Sequence, residues 1–320
     1  MINTMYFVRY FLILLTSLNI MACDFSPHDE DRYNCNPINF KNDIYEMDID
    51  GNNQTRLTYL SYDEITYLSY SPDGTKIIYS AHPRYSLDSR CTNSARTSSS
   101  IYTADSNGLN STLLYDSGDF DVSPSYSPDG TKIVFMSYKN GNFEVYVIDA
   151  DGTNPVNLSN HPSDDSEPSY SPSGNQIVFK SRRNGGDEEI YIMNSDGTNP
   201  VNLSHSSLRD ASPSVSPDGN RIVFYSFRIY NLSEIFSMDI NGANLTRLTF
   251  SNSVINSLPK VSSDGNKITF VGYQQTNNIY IMDINGNNLK QLTNNPSAED
   301  SFYPSFSPDG TKIIYVHKYR

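Results

Sequence analysis

One ten-residue phrase constrains this chain more than its composition does. YSPDGTKIVF at residues 126–135 returns as YSPDGTKIIY from Tyr70, YSPSGNQIVF from Tyr170, VSPDGNRIVF from Val215, VSSDGNKITF from Val261 and FSPDGTKIIY from Phe306. Ser, Pro, Asp and Gly suit the four positions of a tight turn, with proline presetting φ and glycine taking φ > 0. The flanking aromatic and β-branched residues alternate across a pleat. Each copy reads as a hairpin. After the interval from Gly74 to Gly130, the turn glycines Gly130, Gly174, Gly219, Gly265 and Gly310 fall 44 to 46 residues apart.

A second phrase alternates with the first. It reads VYVIDADGTNPVNLS from Val145, IYIMNSDGTNPVNLS from Ile190, IFSMDINGANLTRLT from Ile235 and IYIMDINGNNLKQLT from Ile279, with looser copies at Ile44 and Ile101. Each gives a strand, a turn closed by Asp/Asn-Gly, and a short outer strand. Together the two phrases make four strands in about 45 residues, one propeller blade. Six of each predict an all-β, six-bladed propeller. The chain opens on a second phrase and closes on a first, so the half-blade at 44–58 has to pair with that at 303–316. That pairing closes the ring and leaves no free edge strand.

SPDGTKIVF followed by IYVMDxDGTN-like runs and LT resembles the propeller of the TolB family, a WD-like repeat of bacterial cell envelopes, over residues 42–320. The resemblance implies the fold, an envelope location and a protein-binding role. The same propeller type also serves some polysaccharide lyases and peptidase gating domains, so fold alone does not settle function. Two features depart from the family. Tryptophan, frequent there before the SPDG serine, is absent from the whole chain. The family's namesake also carries an N-terminal α/β domain, for which residues 23–43 leave no room.

The remaining features set the function classes. The net charge is −13, with no basic stripe, which argues against nucleic acid as a partner. The acids either keep the surface soluble or steer a ligand. Residues 1–22 read as a secretory signal ending Ile20-Met21-Ala22-Cys23, a lipobox-like sequence that would lipidate Cys23. The alternatives are an uncleaved anchor or an ordinary signal, and each exports the propeller. A polar tether, 23–41, leads to the propeller at 42–320. Blade one carries a long polar insertion, 80–100. Export places the chain where thiols pair. Cys35 and Cys91 approach from the same face, so a disulfide between them is expected, the alternative being two free thiols.

Both turn types fall on one rim, the turn face. The inter-blade links and the middle link of each blade form the other, the loop face. Near the start of each innermost strand stand Glu64, Asp121, Asp165, Asp210 and Asp300. They are expected either to ring the channel mouth as a binding site or to cap backbone N–H groups there. Asp149-Ala150-Asp151-Gly152 is too short for a calcium loop and is read as turn chemistry. No G-x-S-x-G, H-E-x-x-H or paired C-x-x-C occurs in the sequence. His82, His161, His205 and His317 all map to the loop face, as surface residues or as ligands of a lyase-like metal site. Arg182 and Arg183, with Lys139 and Arg228, form a solvated rim or a contact for an acidic partner. The expectation is a non-catalytic, monomeric, lipid-anchored envelope protein without a cofactor. It would hold a protein partner at its loop face and channel mouth. The alternative is a metal-assisted polysaccharide lyase.

Overall fold

A computed structural model describes residues 41–60, 63–83, 98–229, 232–251 and 253–319. The expected signal segment at 1–22, Cys23, Cys35 and Cys91 lie outside the described residues, and so does most of the insertion in blade one.

The strands form six four-stranded antiparallel sheets. β1 (Lys41–Asp48) and β2 (Thr55–Arg56) open the chain. Blade one is β3 (Asp63–Tyr70), β4 (Lys76–Pro83), β5 (Ser100–Asp105) and β6 (Thr112–Tyr115). Blade two is β7 (Asp121–Tyr126), β8 (Lys132–Ser137), β9 (Glu144–Asp149) and β10 (Val156–Asn157). Blade three is β11 (Asp165–Tyr170), β12 (Gln176–Ser181), β13 (Glu189–Asn194) and β14 (Val201–Asn202). Blade four is β15 (Asp210–Val215), β16 (Arg221–Ile229), β17 (Leu232–Asp239) and β18 (Thr246–Arg247). Blade five is β19 (Ile255–Val261), β20 (Lys267–Tyr273), β21 (Asn277–Asp283) and β22 (Lys290–Gln291). β23 (Asp300–Phe306) and β24 (Lys312–Tyr319) then meet β1 and β2 in one sheet, ordered β2-β1-β24-β23. The expected closure is present: β1 and β24 pair from Lys41↔Tyr319 to Asp48↔Lys312.

Turn chemistry forms the hairpins. In blade one Gly74 has φ 71°, its N–H donates to Ser71 O at 2.9 Å, and Lys76 N–H donates to Ser71 Oγ at 2.9 Å. Asp73 Oδ1 accepts from Ser71 Oγ at 2.6 Å and from Thr75 N–H at 3.0 Å, and these bonds draw its carboxyl below the usual range. The second turn sets how closely blades approach. Gly108 has φ 81°, and a Cβ on it would stand 2.4 Å from Leu57 O of the neighbouring blade. Only glycine suits both the φ and that approach. Across the seam, Gly51 meets Leu292 in the same way.

The core lies between blades rather than within them. Ile44, Ile314 and Val316 of the closing blade pack with Ile65, Ile77 and Tyr79 of blade one. Val178 and Ile190 of blade three pack with Ile222 and Phe224 of blade four. No blade buries its own faces, so stability rests on neighbours and on the completed ring.

Candidate functional site: the channel and the loop face

Every innermost strand carries a register irregularity, and the residue there is left-handed. Tyr67 (φ 45°), Ser123 (58°), Glu167 (52°), Ser212 (53°), Leu258 (53°) and Tyr303 (52°) are equivalent positions of β3, β7, β11, β15, β19 and β23. A bulge re-aims one side chain, here into the central channel. Proline follows at 124, 168, 213, 259 and 304. Proline lacks an N–H, so it suits an inner strand edge that has no ladder partner. The six bulge residues enclose a space of about 50 Å³, and the Tyr67 and Tyr303 rings meet there at 4.6 Å. With a water occupying about 30 Å³ of the liquid, this septum is a narrowing of the channel with room for about one or two waters.

Two residues further along each strand stand Ser69, Ser125, Ser169, Ser214, Lys260 and Ser305, five serines and one lysine. Below the septum the channel opens on the turn face into a cup of about 270 Å³, whose lining includes Lys260, Ser69, Ser125 and Ser305.

Blade three brings charge into this frame. Glu167, at the bulge, accepts from Lys180 Nζ through Oε1 at 2.8 Å, and through Oε2 from Ser212 N–H at 2.7 Å and Ser212 Oγ at 2.8 Å in blade four. Lys180 Nζ also lies 3.3 Å from Glu188 Oε1, which accepts from Arg182 at 3.0 Å. Arg209 pairs with the other Glu188 oxygen and lies over the Tyr225 ring at 5.7 Å. Glu167, Lys180 and Glu188 are buried. Burial by itself would raise Glu188, but Lys180, Arg209 and Arg182 more than offset it and hold the carboxyl at about 2. The same contest ends with Glu167 lowered, chiefly by Lys180. Burial would lower Lys180, yet Glu167 and Glu188 keep it above its ordinary range. Burial raises the Tyr225 hydroxyl to about 12. Glu167 and Glu188 balance Lys180 and Arg209, with Arg182 added at the exposed side, and the cluster bridges two blades beside the channel.

Sequence reading missed this cluster, although a signal existed. Lys180 follows the IVF triplet where the other blades carry Met136, Tyr225, Val271, Val316 or Ser80, and Glu167 stands where Ser123 and Ser212 stand. A second set of acids was missed too. Asp43, Glu144, Glu189 and Glu234 each stand just before the isoleucine or valine that opens a second phrase. They accept backbone N–H groups from Leu60 (2.8 Å), His161 (2.9 Å), Ser206 (2.8 Å) and Ser251 (2.9 Å), which latches the chain leaving each outer strand.

The five acids expected at the channel mouth are each tied to partners of their own. Asp121, Asp165 and Asp210 are sealed from solvent. Asp165 accepts from Arg183 at 2.7 and 3.2 Å, and Asp210 from Arg228 at 2.6 and 3.3 Å. Asp121 has no arginine there and accepts from Ser117 N–H at 2.7 Å and Ser117 Oγ at 2.9 Å, and burial pushes its carboxyl up. Asp300 accepts from Asn277 N–H at 2.7 Å and its side-chain amide at 2.9 Å. Glu64 is half-buried, sits opposite His82 in the register, and raises Tyr303 after burial has done so. Arg183 and Arg228, read as a rim, are strand-fastening partners, whereas Lys139 is exposed.

The four histidines belong to four blades. His82 meets the Phe120 ring at 5.9 Å and burial lowers its imidazole. His161 accepts from Ser163 N–H at 3.1 Å, and His205 is an exposed loop residue. His317 stands 3.2 Å from Ser301 Oγ and 3.3 Å from Glu299. Among the described residues no group of three or more His, Cys, Asp or Glu is placed to hold a metal ion.

The loop face also presents large side chains to solvent. Tyr59 is 75% and Phe250 73% exposed, both in inter-blade links. Arg56 lies 4.2 Å from the Tyr59 ring centre and Arg247 4.7 Å from that of Phe250. Tyr138 and Leu208, in links of the same face, and Tyr273, at the end of β20, are exposed as well.

Fold and site together define a six-bladed propeller with a septate channel and an aromatic-bearing loop face. The sequence signature of the TolB beta propeller domain (PD40) matches residues 84–320, and the chain belongs to that family. Among solved structures it is similar to a putative TolB from Agrobacterium tumefaciens, at 21% identity and TM-score 0.73, covering 88% of this chain and 99% of that one. TolB from Acinetobacter baumannii is 21% identical at TM-score 0.66, over 85% of this chain and 68% of that one. An oligogalacturonate lyase from Vibrio parahaemolyticus is 14% identical at TM-score 0.53, over 75% and 72%. At these identities the likeness is one of fold. No curated protein matches the chain.

Proposed function

We propose that this chain is a non-catalytic binding protein of a bacterial envelope, exported and lipid-anchored through Cys23, that holds a protein partner on its loop face. The observation that carries the reading is the pair of exposed aromatic–arginine stacks, Arg56 with Tyr59 and Arg247 with Phe250. Tyrosine and arginine supply much of the energy in protein interfaces, because a rigid ring buries area at little entropic cost and a guanidinium adds directed bonds. A large aromatic kept in water on a fixed scaffold costs solvation that a partner would relieve.

The test is capture from envelope extract by the full exported chain, compared with Tyr59→Ala/Phe250→Ala and with a turn-face control, Leu109→Ala/Leu245→Ala. The loop-face variant is expected to lose a partner that the control retains. Equal capture by all three chains sinks the reading. Anchoring is tested separately: Cys23→Ser should move the protein from the membrane to the soluble fraction.

A further inference from the structure

We propose that the turn-face cup is a binding site for a carboxylate, with Lys260 as the counter-charge and the surrounding serine hydroxyls as donors. Lys260 occupies a position where the five sister blades place Ser69, Ser125, Ser169, Ser214 and Ser305. Lys260 is half-buried, lines both the septum and the cup, and its ammonium makes no hydrogen bond or ion pair among the described residues. An ammonium removed from bulk water without a partner is costly, and a bound anion offsets that cost. Glu167, the acid whose charge reaches Lys260, already serves Lys180 and Ser212. The Ser69 hydroxyl is buried in the cup wall without a hydrogen-bond partner among the described residues.

The cup of about 270 Å³ holds a group of a few heavy atoms. Hydroxyl donors around one cation match a planar carboxylate, which accepts on both oxygens. Asp73, Asp129, Asp264 and Asp309 on the same face oppose an anion's approach. They sit on exposed turns and are occupied by their own serine and backbone donors, and salt screens them within about 8 Å. Two sources share this chemistry: a small free carboxylate and the C-terminal carboxylate of a peptide.

Calorimetric titration of the full chain with acetate, and with a short peptide carrying a free or an amidated C terminus, tests the proposal. The expected result is binding of acetate, of the free-acid peptide, or of both. Binding should weaken about tenfold or more in Lys260→Ser and Lys260→Met and be largely kept in Lys260→Arg. Serine is the residue of the other blades at this place, and thermal melts of each variant establish that it is folded. Acetate alone identifies a free small acid as the ligand class, and peptide binding identifies a chain terminus. No binding by the parent chain overturns the site, as does equal binding by folded Lys260→Ser or equal binding of the amidated peptide.

Discussion

Blades two and three share a backbone and differ in what fills one layer of it. At the bulge blade two has Ser123 and blade three Glu167; on the second strand the residues are Met136 and Lys180; before the third strand they are Phe143 and Glu188. Blade two has one hydroxyl and two apolar side chains there, and blade three has buried ions. The repeat therefore tolerates two ways of filling the same volume, but the ionic one works only as a complete set. Removing one member leaves its partners charged in a site that water does not reach.

The largest expected effect breaks that set. Lys180→Met should cost about 3–5 kcal/mol, because Glu167 and Glu188 lose the ammonium between them. Glu167→Ser/Lys180→Met/Glu188→Phe, which gives blade three the residues of blade two at these three places, should recover part of the loss, since Arg209 is then left without Glu188. Chemical unfolding midpoints of both variants decide it, and a single variant as stable as the parent means the cluster does not act as a unit.

The next effect is set by pH. Glu188 is held at about 2 against an ordinary 4.5, so its contribution is complete above about 4.5 and is lost as pH falls towards 2. Linkage puts that loss at about 3 kcal/mol at most. Acid unfolding of the parent minus that of the triple variant measures it together with the contribution of Glu167, which is lowered as well, and parallel curves would contradict the assignment.

A smaller contrast lies one layer towards the loop face. Asp165→Asn should cost about 2 kcal/mol because Arg183 is nearly buried against it, while Asp121→Asn should cost under about 1 kcal/mol because no cation depends on Asp121. Melting of the two variants side by side measures the difference. Smallest is the turn. Ser171 and Ser173 of blade three meet at 3.1 Å and Asn175 N–H reaches Ser173 at 3.3 Å, where blade two has Asp129 at 2.6 Å and 3.0 Å from the equivalent groups. Ser173→Asp should add about 0.5 kcal/mol, readable as a small rise in Tm.

Much of the fold was legible because its signals are local. SPDG specifies a turn wherever it stands, and an opening second phrase with a closing first phrase leaves β1 only β24 to pair with. The site was less legible. Asp121, Asp165 and Asp210 stand five residues before the aromatic or valine of a first phrase, a spacing that fits a place at the channel mouth and a backbone cap equally well. Their seclusion from solvent and their serine or arginine partners come from segments that fold back on each strand and are not marked by that spacing.

The sequence by itself determined the number of blades, their four-strand build, the turn glycines and the closure of the ring by the two chain ends. Each of these follows from propensity and periodicity within about 45 residues. Only the tertiary structure decided that Glu167 reaches Ser212 of the next blade, that Lys180 and Arg209 meet on Glu188, that the Tyr67 and Tyr303 rings meet in the channel, and that Lys260 faces the cup. These contacts join residues of different blades or depend on a bulge that turns a side chain by local φ. Burial and charge pairing are set by what surrounds a residue in space, and the repeat brings those surroundings together only when the ring has closed.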